Sequence, residues 1–90
     1  MGQIREHIIF SGRVQGVGFR YTACSLARPM GLTGWVRNLW DGTVEMEVQG
    51  ERSQIESFLS RLGGGRFIQI DHMEVRELSL RKETGFRETY

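Results

Sequence analysis

The fold of this chain is indicated by residues 4–30, which read IREHIIFSGRVQGVGFRYTACSLARPM. Residues 4–11 include three adjacent apolar side chains, which predicts a strand covered on one face and partly on the other. Glycines then recur through residues 12–18, and this predicts a loop. Beyond the loop, apolar residues fall on one helical face: Phe19, Ala23, Leu26, Ala27 and Met30. The segment therefore predicts a strand, a glycine-rich loop and a helix in succession.

The end of this first helix contains a proline. Pro29 removes a hydrogen bond to the carbonyl of Ser25 and crowds it, so we expect a kink or fraying in the last turn. Gly31 follows, and its position predicts the end of the helix.

Residues 34–39 and 43–49 predict a hairpin that turns through Asp41 and Gly42. A two-residue turn would place Arg37 on the apolar face of the second strand. A three-residue loop with a left-handed Gly42 instead pairs Val36 with Met46 and sets Arg37 beside Glu45, a favourable cross-strand pair. We therefore expect the three-residue loop.

The second half of the chain predicts another helix and one or two more strands. Ser53 and Glu56 have the spacing of a capping box, and three glycines at 63–65 are expected to stop the helix. Its buried stripe is predicted to contain Ile55, Phe58, Leu59 and Leu62. A fourth strand is predicted within residues 68–80, and residues 86–90 suggest a short edge strand.

The order β-α-β-β-α-β, with a possible fifth strand, predicts an α+β fold. We expect a ferredoxin-like sandwich, in which two helices cover one face of an antiparallel sheet of four or five strands. A chain of 90 residues is too short for two independently folded units, so residues 1–90 are expected to form a single domain.

The composition excludes several functional classes. The formal net charge of +1 does not support a general nucleic-acid binder, and no apolar stretch is long enough to span a membrane. The single Cys24 cannot form an internal disulfide, and residues 1–10 do not resemble a secretory signal. His7 and His72 are not spaced as metal ligands. We expect a cytoplasmic monomer in which neither histidine binds a metal.

The loop at residues 12–18 carries the clearest chemical signal. Glycines at 12, 16 and 18 allow positive backbone φ angles, so successive N–H groups can turn inward and form a nest for an anion. The start of the helix adds partial positive charge, and Arg20 in its first turn can donate two hydrogen bonds to a phosphate. The loop lacks the Gly-Lys-Ser/Thr ending of a Walker A motif.

Two motifs in the right order give the chain a specific family resemblance. GRVQGVGFR at residues 12–20 resembles the signature loop of the acylphosphatases. GLTGWVRN at residues 31–38, followed by Asp41-Gly42 and Val44-Glu45, resembles the second signature of that family. The resemblance extends weakly over nearly the whole chain.

The resemblance implies an enzyme that hydrolyses the carboxyl–phosphate bond of small acyl phosphates without metal or cofactor. It implies that the phosphate is held by the backbone of six residues: Gln15, Gly16, Val17, Gly18, Phe19 and Arg20. Arg20 would be the essential cation, and Asn38 would position the attacking water. The proton of that water would pass to a phosphate oxygen of the substrate. The acyl group stays open, because metabolites, carbamoyl phosphate and phosphorylated protein carboxylates share one reacting group.

Three other functions are compatible with parts of the pattern. A non-catalytic phosphate-binding module could use the same nest, but it would not need the amide of Asn38. RNA binding is disfavoured because the central strands lack paired aromatic residues and the chain lacks basic excess. The chain also resembles the acylphosphatase-like module of larger carbamoyl-transferring proteins. Since it ends at Tyr90 without their further segments, we expect a free-standing enzyme.

Overall fold

The computed structural model describes residues 2–90 as five strands and two helices. In chain order they are β1 (Gln3–Arg13), α1 (Phe19–Ala27), β2 (Thr33–Asn38), β3 (Val44–Glu51), α2 (Arg52–Gly63), β4 (Gln69–Leu78) and β5 (Phe86–Glu88). The strands form one sheet in the order β4-β1-β3-β2-β5. The predicted ferredoxin-like α+β fold is confirmed.

One face of the sheet carries the core. The strands contribute Ile8, Phe10, Val36, Val44, Met46 and Val48, and the helices contribute Phe19, Ala23, Ile55, Phe58 and Leu62. Both helices therefore cover the same face, as predicted. Within residues 2–90, neither helix is long and apolar enough to cross a bilayer.

The hairpin has the predicted three-residue loop. Val36 pairs with Met46, and Arg37 pairs with Glu45. The Nε of Arg37 donates to a carboxylate oxygen of Glu45 at 2.6 Å, so the cross-strand pair forms as expected. Gly42 has a φ of 92°, the left-handed conformation that this loop requires.

The first helix ends earlier than its apolar pattern predicts. α1 stops at Ala27, with Arg28 as its C-cap, so Met30 lies beyond the helix. Pro29 has no N–H with which to continue the helical hydrogen bonds, and the chain turns there. The N–H of Leu32 returns to the carbonyl of Ala27 at 3.1 Å, across a left-handed Gly31.

The predicted capping box between Ser53 and Glu56 is wrong. β3 runs directly into α2, so the N-cap is Glu51 and no side-chain capping hydrogen bond forms. Ser53 then lies within the first turn, two residues beyond the N-cap, and cannot cap the helix. The helix ends at Gly63, the first of the three glycines.

The fifth strand makes the sheet mixed. β5 pairs in parallel with β2, whereas all the other pairs are antiparallel. β4 and β5 lie at opposite edges, so the connecting segment of residues 79–85 must cross the sheet. It crosses the face away from the helices, where Arg81 contacts Gln49 on β3 and Glu83 contacts Arg5 on β1. This crossing places β5 at the edge of the sheet next to β2, where it contacts α1.

Candidate active site

β1 extends to Arg13, so the glycine-rich loop is residues 14–18 and starts two residues later than predicted. It joins β1 to α1 and is anchored at both ends. Val14 is buried at its start, and Phe19 is buried immediately after it. The Phe19 ring packs edge-on against Phe10, with 4.9 Å between ring centroids. Between these anchors, Gly16 and Gly18 have φ angles of 72° and 76°. These left-handed conformations curl the exposed backbone, as the sequence predicts.

The loop presents unpaired backbone donors. Within residues 2–90, the N–H groups of Gly16, Val17 and Gly18 make no hydrogen bond to another protein group. Gly18 is the N-cap of α1 and supplies no side-chain cap, so the first turn of the helix is also uncapped. Free donors at the positive end of a helix form a site suited to an anion.

A cavity of about 180 Å³ opens at this point. This volume is well above the roughly 10–15 Å³ that a single water requires, so the cavity has room for a small anion such as phosphate. The lining combines the loop, the start of α1, the end of β2 and the edge strand β5: Val14, Gly16, Gly18, Phe19, Arg20, Tyr21, Asn38 and Glu88. Five of the residues predicted from the sequence are therefore brought together here: Gly16, Gly18, Phe19, Arg20 and Asn38.

Arg20 lies in the first turn of α1 with its side chain one-quarter exposed. Its Nε is 3.7 Å from Oε1 of Glu88 on β5. Its guanidinium carbon lies 5.1 Å from the ring centroid of Tyr90. At these distances Arg20 has an ionic and an aromatic neighbour but no direct hydrogen bond to either, so its donors stay available to a ligand.

Asn38 is the last residue of β2 and points toward the helix side of the sheet, because it pairs with the buried Val44. Within the described part of the chain its carboxamide makes no hydrogen bond to protein. It lines the same cavity as Arg20. An amide with a free donor and a free acceptor can orient a water but is too weak a base to take its proton.

Gln15 and Val17 are not part of the cavity lining. Val17 is partly buried against the core. The Gln15 carboxamide donates to two carbonyls of the hairpin, those of Leu39 at 2.7 Å and Thr43 at 2.8 Å. This side chain ties the glycine-rich loop to the strand end that carries Asn38. Phosphate binding by the N–H groups of residues 15–20 stays a prediction, including those of Gln15 and Val17.

Three neighbours of the site were not predicted from the sequence. Tyr21 and Glu88 line the cavity, and Tyr90 lies over Arg20. Glu88 is recognisable in the sequence as unusual, because an acidic residue interrupts the apolar alternation between Phe86 and Tyr90. Nothing in the sequence distinguishes the two tyrosines, since exposed aromatic residues are common on protein surfaces.

The remaining candidate groups lie outside this site. Cys24 is buried on α1, and burial raises the pKa of its thiol, as expected of a packing residue. His7 lies on β1 with its Nε2 2.7 Å from a Glu45 carboxylate oxygen. Among residues 2–90, no cluster of three or more His, Cys, Asp or Glu side chains is suited to hold a metal ion.

Known proteins resemble this chain in sequence and fold over almost its whole length. A family model described as acylphosphatase matches residues 6–88. A curated acylphosphatase of Geobacillus thermodenitrificans is 46% identical over 88 residues, which cover 96% of this chain and 94% of that protein. The crystal structure of acylphosphatase from Bacillus subtilis superimposes with a TM-score of 0.90 at 37% identity, covering 97% of this chain and 99% of that one. An acylphosphatase structure from Coxiella burnetii gives a TM-score of 0.88 at 33% identity, covering 97% of this chain and 93% of that one.

Proposed function

The chain belongs to the acylphosphatase family, and on that premise we propose that it hydrolyses acyl phosphates to a carboxylate and inorganic phosphate at the cavity beside Arg20. The proposal rests above all on one observation. The free N–H groups of the glycine-rich loop, the Arg20 guanidinium and the unpaired Asn38 amide meet at one small cavity. These are the groups that phosphoryl transfer to water requires.

The phosphate of the substrate is held by the loop and by Arg20. The N–H groups of residues 15–20 and the start of α1 bind the phosphate oxygens, on which negative charge spreads in the transition state. Arg20 donates to the same oxygens. Because its contact with Glu88 is 3.7 Å long, little hydrogen bonding is lost when it turns to the substrate.

Asn38 positions the water that attacks phosphorus. The amide holds the water in line with the bond to the acyl oxygen. A bond forms between the water oxygen and phosphorus as the bond from phosphorus to the acyl oxygen breaks. The acyl group leaves as a carboxylate, which is stable at neutral pH and needs no proton. The proton of the water passes to a phosphate oxygen, and inorganic phosphate is released.

The test is hydrolysis of benzoyl phosphate by the purified protein in the presence of a chelator. In this mechanism Arg20 and backbone N–H groups stabilise the charge, so turnover should continue with the chelator present. Arg20→Ala should lower kcat/KM by at least about 10²-fold, the usual cost of losing one donor to a transition-state oxyanion. Asn38→Ala should lower kcat by about 10²-fold through a misplaced water.

The matched control is Arg61→Ala, which removes an exposed arginine from the far end of α2. It should keep the wild-type rate, and all variants should keep the wild-type circular dichroism spectrum. If the folded wild type binds phosphate through Arg20 but does not hydrolyse benzoyl phosphate, the protein is a binding module and the proposal is wrong.

A further inference from the structure

The cavity beside Arg20 contains an acidic side chain as well as the anion-binding groups. Glu88 lies on β5 and pairs with Val36, which is fully buried in the core. Glu88 therefore points to the helix side of the sheet, toward the start of α1. Its Oε1 lies 3.7 Å from Nε of Arg20, and about one-third of its side chain is exposed.

Of the residues within 2–90 that line this cavity, two carry charge, Arg20 and Glu88. The other lining side chains are apolar, amide or phenolic. A phosphate that enters would therefore meet one cation that is already beside an anion, and it would bring a second anion close to the Glu88 carboxylate. Like charges a few ångströms apart in a partly buried site repel.

We propose that Glu88 is an internal competitor for Arg20, which weakens the binding of phosphate and of the substrate's phosphoryl group. This inference rests on the proposed function, because it assigns the Arg20 cavity to phosphate. When the site is empty, Glu88 holds the guanidinium near the cavity. When phosphate binds, Arg20 turns its donors to the phosphate and Glu88 is left beside a second negative charge.

The geometry indicates that Arg20 can exchange Glu88 for phosphate, because the two side chains do not form a tight ion pair. A charge-assisted hydrogen bond between a guanidinium and a carboxylate spans about 2.7–2.9 Å, and the observed contact is longer at 3.7 Å. Both side chains also retain solvent exposure, so their attraction is partly screened. The Tyr90 ring centroid lies 5.1 Å from the guanidinium carbon of Arg20. Such a cation–π attraction does not depend on a hydrogen bond from an N–H donor, so it is compatible with a bound phosphate.

The consequence concerns affinity more than the chemical step. Glu88 opposes phosphate in the bound substrate and in the transition state alike, so it raises KM and the inhibition constant of inorganic phosphate. Inorganic phosphate, the product, also binds the enzyme more weakly and is released more readily. Removing its charge should tighten phosphate binding about two- to fivefold, the range expected for one partly exposed charge interaction.

The experiment is calorimetric titration of inorganic phosphate into the wild type and Glu88→Gln, together with benzoyl phosphate kinetics at the same pH and ionic strength. Glu88→Gln should bind phosphate about two- to fivefold more tightly and lower KM by a similar factor, with kcat changed less than about 1.5-fold. Glu88→Thr, which keeps a residue suited to a strand, should behave alike if Glu88→Gln folds poorly.

Glu77→Gln is the matched control, because Glu77 also lies 3.7 Å from an arginine, Arg52, but outside the cavity. It should leave phosphate affinity at the wild-type value. Unchanged or weaker phosphate binding by folded Glu88 variants would overturn the inference. So would a large loss of kcat at constant affinity, which would make Glu88 the acceptor of the water's proton. A wild type that neither binds phosphate nor hydrolyses benzoyl phosphate would instead refute the proposed function, and this inference with it.

Discussion

At the level of single residues, Gln15 links the two parts of the site. Its carboxamide donates to the carbonyls of Leu39 and Thr43, one on each side of the hairpin loop. Leu39 directly follows Asn38, so the hydrogen bonds of Gln15 set the distance between the phosphate-binding backbone and the proposed water-positioning amide. We regard Gln15 as a positioning residue whose side chain acts through Asn38.

Replacing Gln15 should therefore separate water positioning from phosphate binding. Gln15→Met keeps roughly the length of the side chain and adds no charge near the phosphate, but it offers no N–H to the two carbonyls. We expect kcat for benzoyl phosphate to fall about tenfold or more, because small displacements of a reacting group are costly. The inhibition constant of inorganic phosphate should stay within about twofold of the wild-type value, since the backbone donors remain. A wild-type kcat would contradict this role.

At the level of elements, the connecting segment at 79–85 determines where β5 lies. Arg5 on β1 is completely buried beneath this segment. Its guanidinium contacts Glu47 at 2.7 Å, Gln49 at 3.2 Å and Glu83 at 2.9 Å. Gln49 also exchanges two hydrogen bonds with the backbone of Arg81. The buried guanidinium of Arg5 thus holds the connecting segment in place. The position of this segment determines that Glu88 and Tyr90 lie beside the cavity.

Breaking this cluster should destabilise the protein and loosen β5. Arg5→Met keeps much of the side-chain volume but leaves the Glu47 and Glu83 carboxylates together without their cation. We expect a loss of about 3–5 kcal/mol in the free energy of unfolding, measured by urea titration at pH 7. Glu74→Ala, an exposed change on β4, should cost less than about 0.5 kcal/mol.

Amide hydrogen exchange gives a second measurement on the same variant. In Arg5→Met the N–H of Thr89, which bonds to the carbonyl of Val36 at 2.8 Å, should lose protection more than amides of α2. If Arg5→Met unfolds at the wild-type urea concentration, the buried cluster does not hold the segment.

These elements also show where sequence reasoning succeeds and where it stops. The loop, the start of α1 and the register of the hairpin depend on local residues such as Gly18 and Gly42, and they were predicted. The false capping box at Ser53 arose because the continuation of β3 into α2 moved the helix start. The place of β5 depends on contacts between Arg5 and Glu83, far apart in the chain, which no local pattern encodes. For the same reason the sequence shows that Glu88 breaks the apolar alternation of its strand, but it does not show that Glu88 lies at the site.

At the level of the whole molecule, carboxylates on the helix-free face link stability to pH. Burial alone would raise the pKa of Glu45, but hydrogen bonds from His7 and Arg37 bring it below its ordinary value of 4.5. Glu83 behaves similarly, since Arg87 and Arg5 outweigh its burial and lower its pKa. Glu6 acts in the opposite direction, because burial raises its pKa.

The protein should therefore lose stability in acid. Below the ordinary carboxyl pKa of 4.5, the unfolded chain binds protons at the positions of Glu45 and Glu83 more readily than the folded protein does. These two groups make their full contribution to the free energy of unfolding above that pH. The contribution is lost as the pH falls through their lower pKa values in the folded protein. The urea midpoint should fall between pH 6 and pH 3.5, and Glu45→Gln should reduce that fall. An equal fall in the variant would contradict the assignment to Glu45.

In the proposed mechanism the cavity holds the phosphate and directs water to phosphorus. The most direct measurement is hydrolysis of benzoyl phosphate by the wild type in water enriched with oxygen-18, followed by mass analysis of both products and correction for the uncatalysed reaction. One labelled oxygen should appear in inorganic phosphate and none in benzoate, because the bond between phosphorus and the acyl oxygen breaks. Label in benzoate would mean attack at the carbonyl carbon, and it would contradict the roles proposed for the glycine-rich loop, Arg20 and Asn38.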